Sequence, residues 1–188
     1  LRRKAQLLAF REDFKILDLR GNLDTRLKKL EEEDLDAIVV AHAGLLRMNY
    51  TGQISQIIPF DIMLPAVGQG SLCIEIRKDD TRIQKIVSGI DDEQTRIAVE
   101  AERSLLARLQ GGCQVPIGAY AEVHGKEVSI EAIICTLDGD HAIRDRHSGP
   151  TNQAAKIGDE LAQRMLEDGG LKILHDVRKE FQGRIDHI

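Results

Sequence analysis

Two sets of side chains in this sequence could do chemistry: a cysteine in a glycine-rich loop, and arginines set where an α/β sheet would gather anions. Cys113 stands in Gly111-Gly112-Cys113-Gln114-Val115-Pro116-Ile117-Gly118. Two glycines free the backbone ahead of it and a proline stiffens it behind, so the loop can present a thiol outward. A thiolate so presented is a candidate nucleophile. Free cysteine is nevertheless among the most buried residue types, and the ordinary role for any one of them is a small core residue. Cys73 and Cys135 fit that role, each inside a strand-like run. No His or Asp stands close to Cys113 in sequence to suggest a protease-type dyad.

Arg2 and Arg3 are adjacent, Arg20 follows an apolar run directly in Leu19-Arg20-Gly21-Asn22, Arg26 lies one turn into the next helix, and Arg47 follows a second apolar run. In open α/β sheets ligands bind beyond the carboxyl ends of the strands, and Arg20, Arg26 and Arg47 would share that edge. Backbone N–H groups near Gly21 and Asn22, at the start of a helix, add to an anion site. Arginine suits carboxylates, which it grips with two parallel hydrogen bonds. Any one surface arginine is as readily solvated or weakly paired; their shared position sets the group apart. His42, His124, His141, His147, His175 and His187 lack metal-ligand spacing, and no metal site is expected. No phosphate-binding loop, GxSxG or HExxH occurs.

The elements that must position these residues follow from periodicity. Residues 15–19 and 37–41 read as strands flanking a helix over 24–33, a βαβ unit on a parallel sheet, with a further helix starting over 43–48. From Pro59 to Gly70 prolines and glycines mark a connection between domains, with a hinge at 65–70. Residues 71–77 alternate as a half-buried strand. Asp91 or Asp92 caps a long helix reaching Leu109, ended by Gly111-Gly112. Runs at 119–123, 127–137 and 142–147, separated by glycine turns, form an antiparallel meander. Helices over 151–167 and 171–181 close the chain. The expected fold is thus an α/β half followed by an α+β half with a three-stranded antiparallel sheet and helices.

Composition narrows the function. The 188 residues carry 26 Lys plus Arg against 31 Asp plus Glu, a net charge of -5, which argues against a general nucleic-acid or anionic-membrane binder. No apolar run is long enough to span a bilayer, and Leu1-Arg2-Arg3-Lys4-Ala5 is no secretory stretch, so a cytoplasmic location is expected. Three cysteines without a close pair read as reduced thiols. The opening on Leu1, in helix-like sequence, reads as that of a fragment or a processed product.

The blocks Leu19-Arg20-Gly21-Asn22 with Thr25-Arg26-Leu27, Asp36-Ala37-Ile38 through Ala43-Gly44-Leu45 to Arg47, Leu64-Pro65-Ala66-Val67-Gly68-Gln69-Gly70, Glu102-Arg103, and the Cys113 loop occur in this order. Together they resemble the porphobilinogen deaminase (hydroxymethylbilane synthase) family over nearly the whole chain. The resemblance implies residues 1–64 as most of a periplasmic-binding-protein-like α/β domain two, incomplete here, and 65–70 as hinge. It implies 71–90 as a segment returning to domain one, and 91–188 as an α+β domain three with the cofactor loop at 111–118. It implies stepwise condensation of four porphobilinogen molecules with loss of ammonia, on a dipyrromethane primer held by a thioether to Cys113. Arg2, Arg3, Arg20, Arg26 and Arg47 match the family's cofactor- and substrate-binding arginines, with Gly21 and Gln69 as backbone or amide contacts; Arg77 and Arg103 match less closely. The family's general-acid aspartate belongs to an N-terminal segment that this sequence does not contain, so no catalytic residue is assigned. The isolated chain is expected to be inactive without that segment, and to self-associate through the exposed edge at 71–77. A non-catalytic carboxylate-binding module, or a purely structural fragment, is the alternative.

Overall fold

The computed structural model describes residues 1–110 and 115–185, with side chains to residue 180. Seven α-helices and three strands occur among the described residues: α1 (Arg2–Phe10), α2 (Leu23–Glu32), α3 (His42–Arg47), α4 (Thr81–Val87), α5 (Glu93–Arg108), β1 (Ile117–His124), β2 (Glu127–Cys135), β3 (Ala142–Pro150), α6 (Ala154–Met165) and α7 (Leu171–Ile185). None of these helices is long and apolar enough to cross a membrane.

The second half matches the pattern in the sequence. Asp92 caps α5 by accepting from the Thr95 amide at 2.8 Å, with Glu93 in the first turn and Arg108 in the last, each favourable toward the helix dipole. The strands form one antiparallel sheet in the order β1-β2-β3, joined at Gly125 and Gly139, both in the left-handed region. Alternation sends Ile117, Ala119 and Ala121 of β1 and Val128, Ile130, Ala132 and Ile134 of β2 to one face, where they pack with Leu105, Leu161, Met165 and Leu174 from α5, α6 and α7. Each fully buried large side chain contributes about 1.5–3 kcal/mol. Gly158 lets α5 and α6 meet closely: a Cβ there would lie 2.0 Å from the Ala101 carbonyl oxygen.

Both faces of β2 are buried toward its C-terminal end, because the first half of the chain covers the second face. Ala5 of α1 and Leu64 pack there against Ile133, Cys135 and Tyr120. The Gln6 side chain, 1% exposed, donates to the Leu64 carbonyl at 3.0 Å and accepts from the Leu64 amide at 2.7 Å. The Ala119 amide donates to the Pro65 carbonyl at 3.0 Å. Arg144 of β3 donates to the carbonyls of Phe60 and Asp61 and pairs with Glu131.

The first half departs from the expected parallel sheet. The helix between the two apolar runs is present as α2, but 15–19, 37–41 and 71–77 form no ladder. A strand needs partners for its N–H and C=O groups, and here the Val39 carbonyl instead accepts from Arg3 at 2.9 Å. Leu72 and Ile74 are 78% and 52% exposed, so the alternation at 71–77 does not mark a half-buried face. Cys73, expected in a core, is exposed for the same reason.

Replacing Gly158 with Ala should destabilise the chain by about 1–3 kcal/mol or more, as overpacking does. Gly52→Ala, at a site with nothing within 4 Å, should stay within about 0.5 kcal/mol. Urea denaturation of both variants checks this, and coincident midpoints would contradict the α5–α6 contact.

Candidate functional site

Helices α1 and α2 bring Arg2, Arg3 and Arg26 together. Burial is the main cause lowering the proton affinity of Arg2 and Arg3, followed by repulsion between Arg2 and Arg3 and between Arg3 and Arg26. Guanidinium stays charged under such pressure, so this is a concentration of positive charge. Arg3 is held by the Val39 carbonyl, and Arg26 donates from Nε to the Gly21 carbonyl at 2.9 Å. Arg2 Nε is buried without a hydrogen-bond partner among the described residues.

Gly21 adopts φ +121°, and a Cβ there would press on Thr25 at 2.7 Å. Beside it, Asn22 caps α2 by accepting from the Thr25 amide at 2.8 Å and from its hydroxyl at 2.7 Å. The cap thus takes up the Thr25 N–H that an anion at this helix end would otherwise find. Arg20 is exposed and makes no hydrogen bond among the described residues.

Arg47 and Gln69 line an open cleft of about 1320 Å³ with Cys73, Glu102, Arg103 and Tyr120, a lining that does not include Arg2, Arg3 or Arg26. The cleft is larger than a typical single-ligand pocket. Arg47 donates to the Gly70 carbonyl at 2.6 Å.

Carboxylate partners divide the arginines. Arg11, Arg77, Arg96, Arg108, Arg144 and Arg164 are ion-paired. Among the described residues, Arg2, Arg3, Arg20, Arg26 and Arg47 are not, and neither are Arg82, Arg103, Arg146 and Arg178. Arg77, a less close match in the sequence, spends its charge on Asp80 in an exposed pair. In a chain with an excess of acidic residues, this pattern leaves cationic groups able to take carboxylates of a ligand.

Cys113 and its neighbours 111–114 lie outside the described residues. Of the other thiols, Cys135 is fully buried, and burial pushes its pKa up to about 12, so it is an inert core thiol as expected. Glu102 carries no assignment from sequence, yet it is 5% exposed. Burial raises its carboxyl above the usual range, outweighing the opposing effect of the Gly68 and Ala121 amides that donate to it. Its signal was present: with Ala98, Ala101 and Leu105 it occupies one i, i+3, i+4, i+7 stripe, an acid on an apolar helix face.

Two family models match the chain: "Porphobilinogen deaminase, dipyromethane cofactor binding domain" over residues 1–85, and "Porphobilinogen deaminase, C-terminal domain" over residues 96–167. Porphobilinogen deaminase of Desulforamulus reducens is 49% identical over 178 residues, 95% of this chain and 58% of that protein. The enzyme of Pelotomaculum thermopropionicum is 50% identical over 180 residues, 96% of this chain and 58% of that protein. That of Trichlorobacter lovleyi is 44% identical over 187 residues, 100% of this chain and 59% of that protein. The chain therefore spans little more than half the length of these relatives. The arginines at 2, 3, 20, 26 and 47 all fall in the cofactor-binding match, and residue 113 in the C-terminal one.

In a Cys113→Ser background, Ellman's reagent at pH 8 should label one thiol per native chain, Cys73, and two after denaturation. Rapid labelling of two native thiols would contradict the burial of Cys135.

Proposed function

The chain belongs to the porphobilinogen deaminase family, and on that premise we propose that it supplies the tether and the carboxylate-binding arginines of a hydroxymethylbilane synthase. This transferase of tetrapyrrole and haem biosynthesis condenses four porphobilinogen molecules head to tail, releasing ammonia at each step. The observation that carries the reading is the crowding of Arg2, Arg3 and Arg26 without acidic partners, with the Arg2 Nε buried and unsatisfied. Dipyrromethane bears an acetate and a propionate on each ring, and this donor set fits such a group: several guanidinium ions, all donors, matched to several carboxylates, all acceptors.

When bound, dipyrromethane supplies the primer to which porphobilinogen units are added. Cys113 would hold it through a thioether, the thiol giving up its proton as the C–N bond of an aminomethyl pyrrole breaks and ammonia leaves. Arg2, Arg3, Arg20 and Arg26 hold the carboxylates and offset their mutual repulsion; Gly21 is a backbone contact. Arg47 and Gln69 face the cleft, where the lengthening product needs room and further cations. The reading assigns binding and tethering to these residues and proton transfer to none of them. In the same reading the general acid comes from a further segment of such an enzyme, without which this chain does not turn over porphobilinogen. A cytoplasmic setting keeps Cys113 reduced for its reaction.

The family's architecture supports a domain assignment on the same terms: 1–64 in a periplasmic-binding-protein-like α/β domain, 65–70 as hinge, 71–90 returning to a first domain, and 91–188 as the third. The runs at 15–19, 37–41 and 71–77 then pair with strands from the rest of such a protein, and their exposed Leu17, Leu72 and Ile74 are covered. With that cover lacking, the same edges favour self-association.

Expressed in cells that make the cofactor, the chain should carry a covalent dipyrromethane by intact mass, lost in Cys113→Ser. Arg3→Ala should weaken binding of a synthetic dipyrromethane tetracarboxylate by about tenfold to a hundredfold, the scale of a charged hydrogen bond. Unchanged affinity in Arg3→Ala, or an adduct surviving in Cys113→Ser, would sink the assignment.

A further inference from the structure

Glu102 lies on the buried stripe of α5, and each of its carboxylate oxygens has its own backbone donor. Oε2 accepts from the Gly68 amide at 2.6 Å and Oε1 from the Ala121 amide at 2.8 Å. Gly68 has φ +70° and Gly70 φ +97°, so the stretch between them is a compact turn that few other residues could form. Within it the Gln69 amide donates to the Ala66 carbonyl at 2.9 Å, and the Ser71 hydroxyl to the Gly68 carbonyl at 2.7 Å. The far side of the turn presents the Gly70 carbonyl to Arg47. A connected path thus runs from β1 through one carboxylate to the turn, and from the turn to an arginine on the cleft.

We propose that Glu102 is a positioning residue, its carboxylate fixing the turn at 66–71 on β1 and so setting where Gln69 and the Arg47 guanidinium stand in the cleft. The role of Arg47 and Gln69 as ligand contacts rests on the function proposed above; the mechanical link from Glu102 to the turn does not. A carboxylate is the only common side chain that offers two acceptors and no donor, and two N–H groups converge here. Glutamine keeps the shape but turns an NH2 donor toward one of those amides. Aspartate keeps the charge but is one methylene shorter, too short to hold both.

The sign of the effect separates positioning from charge. Glu102 and the exposed Glu100 line the same cleft. If Glu102 acted through charge alone, neutralising it would tighten binding of an anion, as neutralising Glu100 would. Positioning requires the opposite.

The 188-residue chain and its Glu102→Gln, Glu102→Asp and Glu100→Gln variants serve as the test, with native fold checked by circular dichroism. Amide hydrogen exchange at residues 68–71 and the NMR signals of the Arg47 guanidinium are read without ligand, and affinity is read with a synthetic dipyrromethane tetracarboxylate. The expected result for both Glu102 variants is exchange at 68–71 faster by at least about tenfold, and loss of a single ordered Arg47 environment. Probe affinity should fall by about tenfold to a hundredfold, as when a supporting group is lost. Glu100→Gln should leave exchange unchanged and affinity equal or higher. Unaltered exchange at 68–71, or tighter probe binding in Glu102→Gln, overturns the proposal. So does failure of both Glu102 variants to fold, which would assign the carboxylate to core stability alone. A wild-type chain that does not bind the probe counts against the proposed function, while exchange and the Arg47 signals still decide the role of Glu102.

Discussion

Leu64 has both of its backbone polar groups satisfied by one side chain, the amide of Gln6, in a site closed to water. An unpaired buried N–H or C=O costs on the order of 1–3 kcal/mol, so the two bonds hold α1 to residue 64 far more tightly than the apolar contact of Ala5 alone. This pairing seats the first half of the chain on the second face of the sheet. Through it the arginines of α1 acquire a fixed relation to β2, and Cys135, on the face of the central strand that α1 and Leu64 cover, becomes a core residue.

Electrostatics in the molecule are uneven in a way that net charge hides. Acidic residues outnumber basic ones, and six arginines take carboxylate partners at the surface. The crowded Arg2, Arg3 and Arg26 are left to carbonyls and to one another. Desolvation and like-charge repulsion both act against this group, and an anionic ligand relieves both. A fold that tolerates such a cost at one place has its positive charge where a polycarboxylate could use it.

Much of this was legible in the sequence, for physical reasons that differ by region. The helix at 93–108, its Asp92 cap and the meander after it were readable because their partners lie close in the chain: Gly125 and Gly139 turn one strand onto the next. The edge expected to gather Arg20, Arg26 and Arg47 was not legible: Arg26 sits with Arg2 and Arg3, Arg20 is exposed and Arg47 lines the cleft, because without a laddered sheet no common strand end brings them together. The runs at 15–19, 37–41 and 71–77 were misread as laddered, and Cys73 as buried, because apolar content cannot say whether a ladder partner is at hand. Gln6 and Glu102 were the costlier omissions. Each is polar on a helix face that periodicity alone assigns to the core, and the donors and acceptors that meet them are 58, 34 and 19 residues away.

Between those two side chains runs a short stretch tied at three points. Leu64 is gripped at one end by α1, Pro65 is bonded to β1, and Gly68 is gripped at the other end by α5. Four residues span at most about 14 Å even when pulled straight. A link this short behaves as a strut: α1 cannot drift from α5 by more than the strut can lengthen without breaking a buried bond at one end. Displacement of the first half relative to α5 therefore has to be taken up by dihedral changes within residues 65–68, inside the same turn whose Gly70 carbonyl holds Arg47.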